Sequence, residues 1–327
     1  MINRVNGGII LSFSSKSKNE LSRVKVKNRC CYYAELAGIL LFSGVFKYSG
    51  ENVLLKVNTE NASVARRVFN LIKWCFDMHI QVSIRRNKSS KHMHSYALYI
   101  HEREKLECIF KGLKLIAKDS NFKSIINFRI HKDLIKYDCC QKAFIRGAYL
   151  GGGSIADPEK AYHFEFITRF YLLSKDFCEL LSVFDLQPRV IMRKSNYVIY
   201  FKGSEYIVDL LNIIGAHKSL LQLENIRIMK EMRNNVNRVV NCETANLEKT
   251  VSASINQIQN IEYIEKNMGL DKLPERLQEM AILRLKYKEA SLKELGDMLS
   301  TPVGKSGVNH RLRKLQQIAA ELKNKNL

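Results

Sequence analysis

Residues 30–44 read Cys-Cys-Tyr-Tyr-Ala-Glu-Leu-Ala-Gly-Ile-Leu-Leu-Phe-Ser-Gly, and residues 139–153 read Cys-Cys-Gln-Lys-Ala-Phe-Ile-Arg-Gly-Ala-Tyr-Leu-Gly-Gly-Gly. Cys30, Cys31, Ala34, Gly38 and Gly44 recur at one fixed offset as Cys139, Cys140, Ala143, Gly147 and Gly153. Further on, Phe76-Asp77 followed by Val82 and Arg85 is matched by Phe184-Asp185 followed by Val190 and Arg193, the offset having changed by a single residue. The first two thirds of the chain are therefore one segment written twice.

Working outward from each copy, helical and alternating apolar periods predict the same succession of elements. In the first copy the segment's own helix is followed by strands such as Val53–Val57, a helix over Ala62–Met78, strands over Ile80–Arg85 and Tyr96–Ile100, and a closing helix over Lys105–Ala117. In the second, a strand over Tyr162–Ile167 is followed by a helix over Lys175–Phe184, strands over Arg189–Met192 and Tyr197–Phe201, and a helix over Glu205–Ile214. The repeating unit is α-β-β-α-β-β-α, an α+β class. Each unit has one apolar sheet face to cover, and two can pair about a pseudo-twofold axis through their first helices. Gly38 and Gly147 fall mid-helix, where glycine costs about 1 kcal/mol relative to alanine, so they predict close backbone approach between those helices.

At this point the chain resembles the LAGLIDADG homing-endonuclease architecture. Leu36 to Gly44 matches the signature at its first three positions and its final glycine, and Ile145 to Gly153 matches more loosely. The resemblance implies that an acidic residue just before each final glycine holds the divalent metals of phosphodiester hydrolysis. Those positions are Ser43 and Gly152. Neither supplies an anionic oxygen, so they read as degenerate metal positions, with no catalytic residue and no cofactor. Glu35 and Asp157 lie nearby in sequence, and a nuclease with displaced ligands is the competing enzymatic reading.

Other candidate sites dissolve on inspection. Gly151 to Ser154 reads as a helix stop feeding a strand. The Gly304-Lys305-Ser306 run has Leu299 where a phosphate loop needs an earlier glycine. Eight cysteines include no Cys-x-x-Cys pair, and adjacent helical residues point about 100 degrees apart, so Cys30-Cys31 and Cys139-Cys140 read as reduced packing thiols with no metal. His92 and His94 in the polar Asn87 to Ser95 loop, and His79, His101, His131, His163 and His217, form no ligand spacing.

Past the repeats, Asn225 to Met268 is long, helical and polar, with neither glycine nor proline until its end. It reads as a solvated connecting helix, or as one touching a nucleic-acid backbone through Arg233 and Arg238. Pro274 then opens a helix running to about Lys288. Ser291-Leu292-Lys293-Glu294 is a capping box that starts a second helix, Pro302 and Gly304 break it, and a third runs from about Ser306 to Leu322. This is helix-turn-helix geometry, in which the last helix docks in the major groove. With Val308, Leu312, Leu315, Ala319 and Leu322 facing inward, the helical wheel turns Ser306, Asn309, His310, Arg313, Lys314 and Gln317 outward, flanked by Lys305 and Arg311. These eight side chains suit base edges and phosphates and are the expected DNA-binding residues.

Charge agrees with that reading. Lys plus Arg number 53 against 32 acidic residues, a formal balance of +21 in 327 residues, which favours an anionic polymer as partner. Charge alone does not separate DNA, RNA and an anionic membrane, or exclude a lysine-rich compositional bias. The 46% hydrophobic content is enough for packed cores, and no apolar run reaches the ~18 residues of a membrane span. Met1 to Lys18 has no signal-peptide architecture, so the expected location is cytoplasmic and nucleoid-associated, with double-stranded DNA as partner and no membrane.

Four stretches together make the resemblance specific: Cys-Cys-x-x-Ala-Glu-Leu-Ala at 30–37, Gly-Gly-Ser-Ile-Ala-Asp-Pro-Glu-Lys-Ala-Tyr-His at 152–163, Asn-Arg-Val-Val-Asn-Cys-Glu-Thr-Ala-Asn at 237–246 and Lys-Ser-Gly-Val-Asn-His-Arg-Leu-Arg-Lys-Leu at 305–315. The chain is similar over nearly its whole length to the WhiA family. That resemblance implies a non-enzymatic transcriptional regulator linked to cell division, and to sporulation in bacteria that sporulate, with the transcription machinery or another regulator as further partner. A nucleoid-associated scaffold with little sequence preference is the third reading. The expected organisation is an N-terminal region and first repeat at 1–128, a second repeat at 129–222, a helical linker at 223–270 and a helix-turn-helix domain at 271–327.

Overall fold

In the computed structural model all residues are described except 1–3, 6–7, 10, 27, 50–51, 87–93, 119–123 and 326–327. Most of the polar loop carrying His92, and His92 itself, thus lie outside the described residues. The chain forms two compact units, residues 1–230 and 231–327.

The first unit opens with a two-residue ladder, β1 (Arg4–Val5) with β2 (Gly8–Ile9), and a helix that periodicity did not predict, α1 (Phe13–Leu21). Ser12 caps it by accepting from the Ser15 N–H at 3.1 Å, and Phe13, Ser17 and Leu21 turn inward. The first repeat follows as α2 (Arg29–Ser43), β3 (Gly44–Ser49), β4 (Asn52–Thr59), α3 (Ala62–Phe76), β5 (Gln81–Arg86), β6 (His94–Ile100) and α4 (Arg103–Gly112). A short ladder, β7 (Ile116–Lys118) with β8 (Ser124–Ile126), leads to the second repeat. That repeat comprises α5 (Asp138–Gly152), β9 (Gly153–Ile155), β10 (His163–Thr168), α6 (Tyr171–Ser182), β11 (Arg189–Arg193), β12 (Asn196–Lys202) and α7 (Ser204–Ile214).

The two sheets have the same antiparallel order, β3-β4-β6-β5 and β9-β10-β12-β11, so the α-β-β-α-β-β-α unit occurs twice. Alternation along β10 buries Phe164, Phe166 and Thr168 while His163, Glu165 and Ile167 stay half-buried. Phe42, Tyr149, Phe166 and Phe177 pack there, with the Phe42 and Phe177 ring centres 4.9 Å apart and nearly edge-on.

Helices α2 and α5 pair at the centre, as the repeated glycines predict. A Cβ on Gly38 would strike the Phe144 carbonyl oxygen and the Ala148 nitrogen, and one on Gly147 would strike the Glu35 carbonyl. Further along, Gly151 lies against the Ile39 carbonyl, so the two helices run side by side in the same direction.

One prediction needs correcting. The closing helix of the first repeat stops at Gly112 instead of continuing to Ala117, because Lys114 takes a left-handed φ of 54°, the Leu115 N–H turns back to the Phe110 carbonyl at 2.8 Å, and Ile116–Lys118 pairs as a strand.

Gly215, at φ +87°, ends α7, and one continuous helix, α8 (His217–Asn267), follows. The Glu20 carboxylate caps its start, accepting from the Lys218 and Ser219 N–H groups at 2.7 and 3.0 Å. Leu223 on its early turns is buried in the first unit's core. Ile261 and Ile264, on its last turns, are wholly buried in the second, together with α9 (Glu275–Lys286), α10 (Leu292–Asp297) and α11 (Lys305–Lys325). The stretch read as a linker thus contributes core to both units.

Candidate nucleic-acid interface

Leu277, Met280 and Ala281 of α9, Leu295 and Leu299 around α10, and Val308, Leu312, Leu315 and Ala319 of α11 form the second unit's core. The capping box predicted at Ser291 is present in both halves: its Oγ accepts from the Glu294 N–H at 3.3 Å, and its own N–H donates to Glu294 Oε2 at 2.7 Å. That backbone bond holds the Glu294 carboxyl below the usual range.

Three contacts fix the turn that aims α11. The Val303 N–H donates to the Gly296 carbonyl at 3.2 Å, and the Val303 carbonyl lies where a Cβ on Gly296 would have to go, so only glycine lets the turn close on α10. The Ser300 N–H donates to Glu279 Oε1 at 2.6 Å, tying the same turn to α9. Buried Arg284 donates to Gln257 Oε1 at 3.0 Å and to the Ala290 carbonyl at 2.5 Å, holding the loop before α10; burial pushes its guanidinium pKa down. Nothing in the spacing around Arg284 marks it for this task, since its partners on α8 and in the loop are supplied by the fold.

On α11, Lys305, Ser306, His310, Arg313, Lys314 and Gln317 are exposed, and Asn309 and Arg311 are half-buried at the edges of the same face. Among the described residues, Lys305, Arg311, Arg313 and Lys314 have no carboxylate within ion-pair distance, so their charge faces outward uncompensated. The helix N-terminus adds its unpaired N–H groups and positive dipole end at Lys305.

At the other candidate site, Ser43 and Gly152 close α2 and α5. Ser43 Oγ donates back to the Ile39 carbonyl at 2.7 Å, and a Cβ at Gly152 would meet the Ile167 carbonyl at 2.8 Å and Phe42 at 3.1 Å. There is no room at Gly152 for a carboxylate without movement. Glu35 is wholly buried and taken up by two guanidiniums, Arg67 at 2.7 and 2.9 Å and Arg146 at 2.9 and 3.0 Å. Asp157 is exposed in a turn, where its Oδ1 accepts from the Glu159 N–H.

The domain comparisons follow the same division. Residues 29–116 match the profile of the WhiA N-terminal LAGLIDADG-like domain, 141–233 that of the WhiA LAGLIDADG-like domain, and 236–319 that of the WhiA C-terminal HTH domain. Over 319 residues, the chain is 50% identical to the probable cell division protein WhiA of Alkaliphilus metalliredigens, covering 97% of this chain and 100% of that one. The chain belongs to the WhiA family. The probable cell division protein WhiA of Clostridium botulinum is 49% identical over 313 residues, 96% of this chain and 99% of that one. Full-length WhiA from Thermatoga maritima shares the fold, with a TM-score of 0.58 at 25% identity over 95% of this chain and 99% of that one. The WhiA helix-turn-helix match begins at residue 236, inside α8, in keeping with the burial of Ile261 and Ile264 in this unit's core.

The paired cysteines are brought together. Read as packing thiols in the sequence, they open α2 and α5, and the helix pairing gathers the four sulfurs into one group. Among the described residues no helix is long and apolar enough to cross a membrane.

Proposed function

We propose that this WhiA-family chain is a non-enzymatic, sequence-specific regulator of transcription that binds double-stranded DNA through α11 and acts in cell division, as the names of its relatives suggest, and in sporulation where the host sporulates. The observation that carries the reading is the outer face of α11. Arg313, His310, Asn309, Ser306 and Gln317 offer donors and acceptors suited to base edges, while Lys305, Arg311 and Lys314 offer cations to phosphates. A turn fastened by Gly296 and Glu279, with Arg284 holding the loop before α10, supports that face.

The spent state of Glu35 and the crowding at Gly152 support a body that does not hydrolyse DNA. The body then serves to position the reading unit or to meet the transcription machinery or another regulator, at the nucleoid in the cytoplasm. Genome-wide mapping of bound sites tests this: a sharp shared motif is expected, and a broad, featureless footprint would favour a scaffold and overturn sequence-specific regulation.

A further inference from the structure

Cys30 and Cys31 are the second and third residues of α2, and Cys139 and Cys140 hold the same places in α5. Because the two helices run side by side in one direction, both pairs arrive at the same end. All four Sγ atoms lie within 4.8 Å of one another, with Cys31 and Cys140 4.0 Å apart. The latter two are buried at 4% and 2% exposure, while Cys30 and Cys139 open to solvent. The objection that adjacent helical residues diverge is met by symmetry: each helix contributes one buried and one open sulfur to a shared centre.

We propose that Cys30, Cys31, Cys139 and Cys140 bind a single zinc ion as a tetrathiolate that fastens the two repeats together at the N-terminal ends of α2 and α5. With a zinc–sulfur distance of about 2.3 Å, a tetrahedral site has sulfur–sulfur edges of about 3.8 Å, within about 1 Å of the spacing found. An iron–sulfur cluster fits less well, because its thiolates bind different irons and are held further apart than the edge of one tetrahedron. Hard cations are excluded by the all-sulfur donor set.

The setting also favours thiolates. The four cysteines sit in the first turns of their helices, at the positive dipole ends, and Asn28 Nδ2 donates to Cys139 Sγ at 3.8 Å. Zinc binding would displace the thiol protons. Four protein ligands close the coordination sphere and leave no position for a reactive water, so the ion is structural.

The test uses full-length protein purified under reducing conditions without chelator. Elemental analysis should find one zinc per chain, and cobalt exchanged into the site should show the charge-transfer and visible bands of a tetrahedral tetrathiolate. Cys30→Ser with Cys139→Ser changes only the exposed pair. It should lower bound zinc to about a tenth or less and abolish the cobalt spectrum, while keeping the far-ultraviolet circular dichroism of the wild type. In chelator-stripped, reduced protein, one equivalent of zinc should raise the melting temperature of the wild type and not of the double variant. The proposal fails if reduced wild-type protein takes up no equivalent of zinc against a chromophoric chelator, or if the double variant holds as much. It also fails if iron accounts for the metal, or if thiol trapping in fresh lysate finds Cys31 and Cys140 joined as a disulfide.

Discussion

Arg146 of the second repeat reaches into the first and meets the Glu35 carboxylate, with Nε and Nη2 at 3.0 and 2.9 Å from Oε2. Arg67 takes the other side of the same carboxylate, and Arg146 Nη1 also donates to the Ile214 carbonyl at 3.3 Å. A buried carboxylate between two guanidiniums is a costly arrangement to assemble and a costlier one to break, because removing one partner strands the others out of water.

Glu35→Gln should therefore destabilise the first unit by about 3–5 kcal/mol, seen as a lower denaturation midpoint in urea with an unchanged slope. A loss below about 1 kcal/mol would mean that Arg67 and Arg146 find water or other partners in the folded state.

Two glycines make a matched pair. Gly147→Ala forces a methyl into the Glu35 carbonyl and should lower stability by about 1–3 kcal/mol, whereas Gly304→Ala, with open space around its added carbon, should stay within about 0.5 kcal/mol of wild type. Thermal melts check both. Equal, small effects would show that α2 and α5 can move apart without cost.

Nuclease activity gives a chemical check. With Ser43 bonded back to Ile39 and Gly152 against Ile167, supercoiled plasmid should stay intact with magnesium or manganese at any salt concentration. Metal-dependent nicking by clean protein that disappears in Asp157→Asn would contradict this.

The repeats were legible in the sequence because duplicated helices and alternating strands are local patterns, and the capping box at Ser291 is a four-residue signal. The outward face of α11 followed from its apolar stripe for the same reason. Relationships between distant residues were not legible: Glu35 with Arg67 and Arg146, Glu20 with the start of α8, and the meeting of Cys31 with Cys140. Each joins residues that only the packing of α3 on α2, the pairing of α2 with α5 or the docking of α1 brings together. The end of α8 was read as linker because polar residues dominate it, yet Ile261 and Ile264 fill the helix-turn-helix core. A fragment beginning at Leu270 would lose both, so one meant to carry the reading unit should begin near Glu231.

Arg313 and Lys314 should separate base reading from phosphate contact. If Arg313 makes a bidentate bond to guanine, Arg313→Ala should weaken a cognate site by about one to two decades and flatten preference at one base pair. Lys314→Ala should weaken all sequences alike and reduce the salt slope by about one unit. Both side chains are exposed, so neither change should cost more than about 0.5 kcal/mol of stability. Binding curves across salt concentrations with cognate and scrambled DNA measure the difference.

The most direct test of the central claim, that α11 reads sequence, is selection from a random pool of double-stranded DNA by full-length protein. It is run in parallel for the wild type and for a variant carrying His310→Ala, Arg313→Ala and Gln317→Ala on the exposed face. The wild type should enrich a short shared motif, and the variant, folded and still +20 in formal charge after losing one arginine, should bind DNA in a salt-sensitive way and enrich none. Enrichment of the same motif by both proteins would place sequence reading elsewhere in the chain and contradict the account.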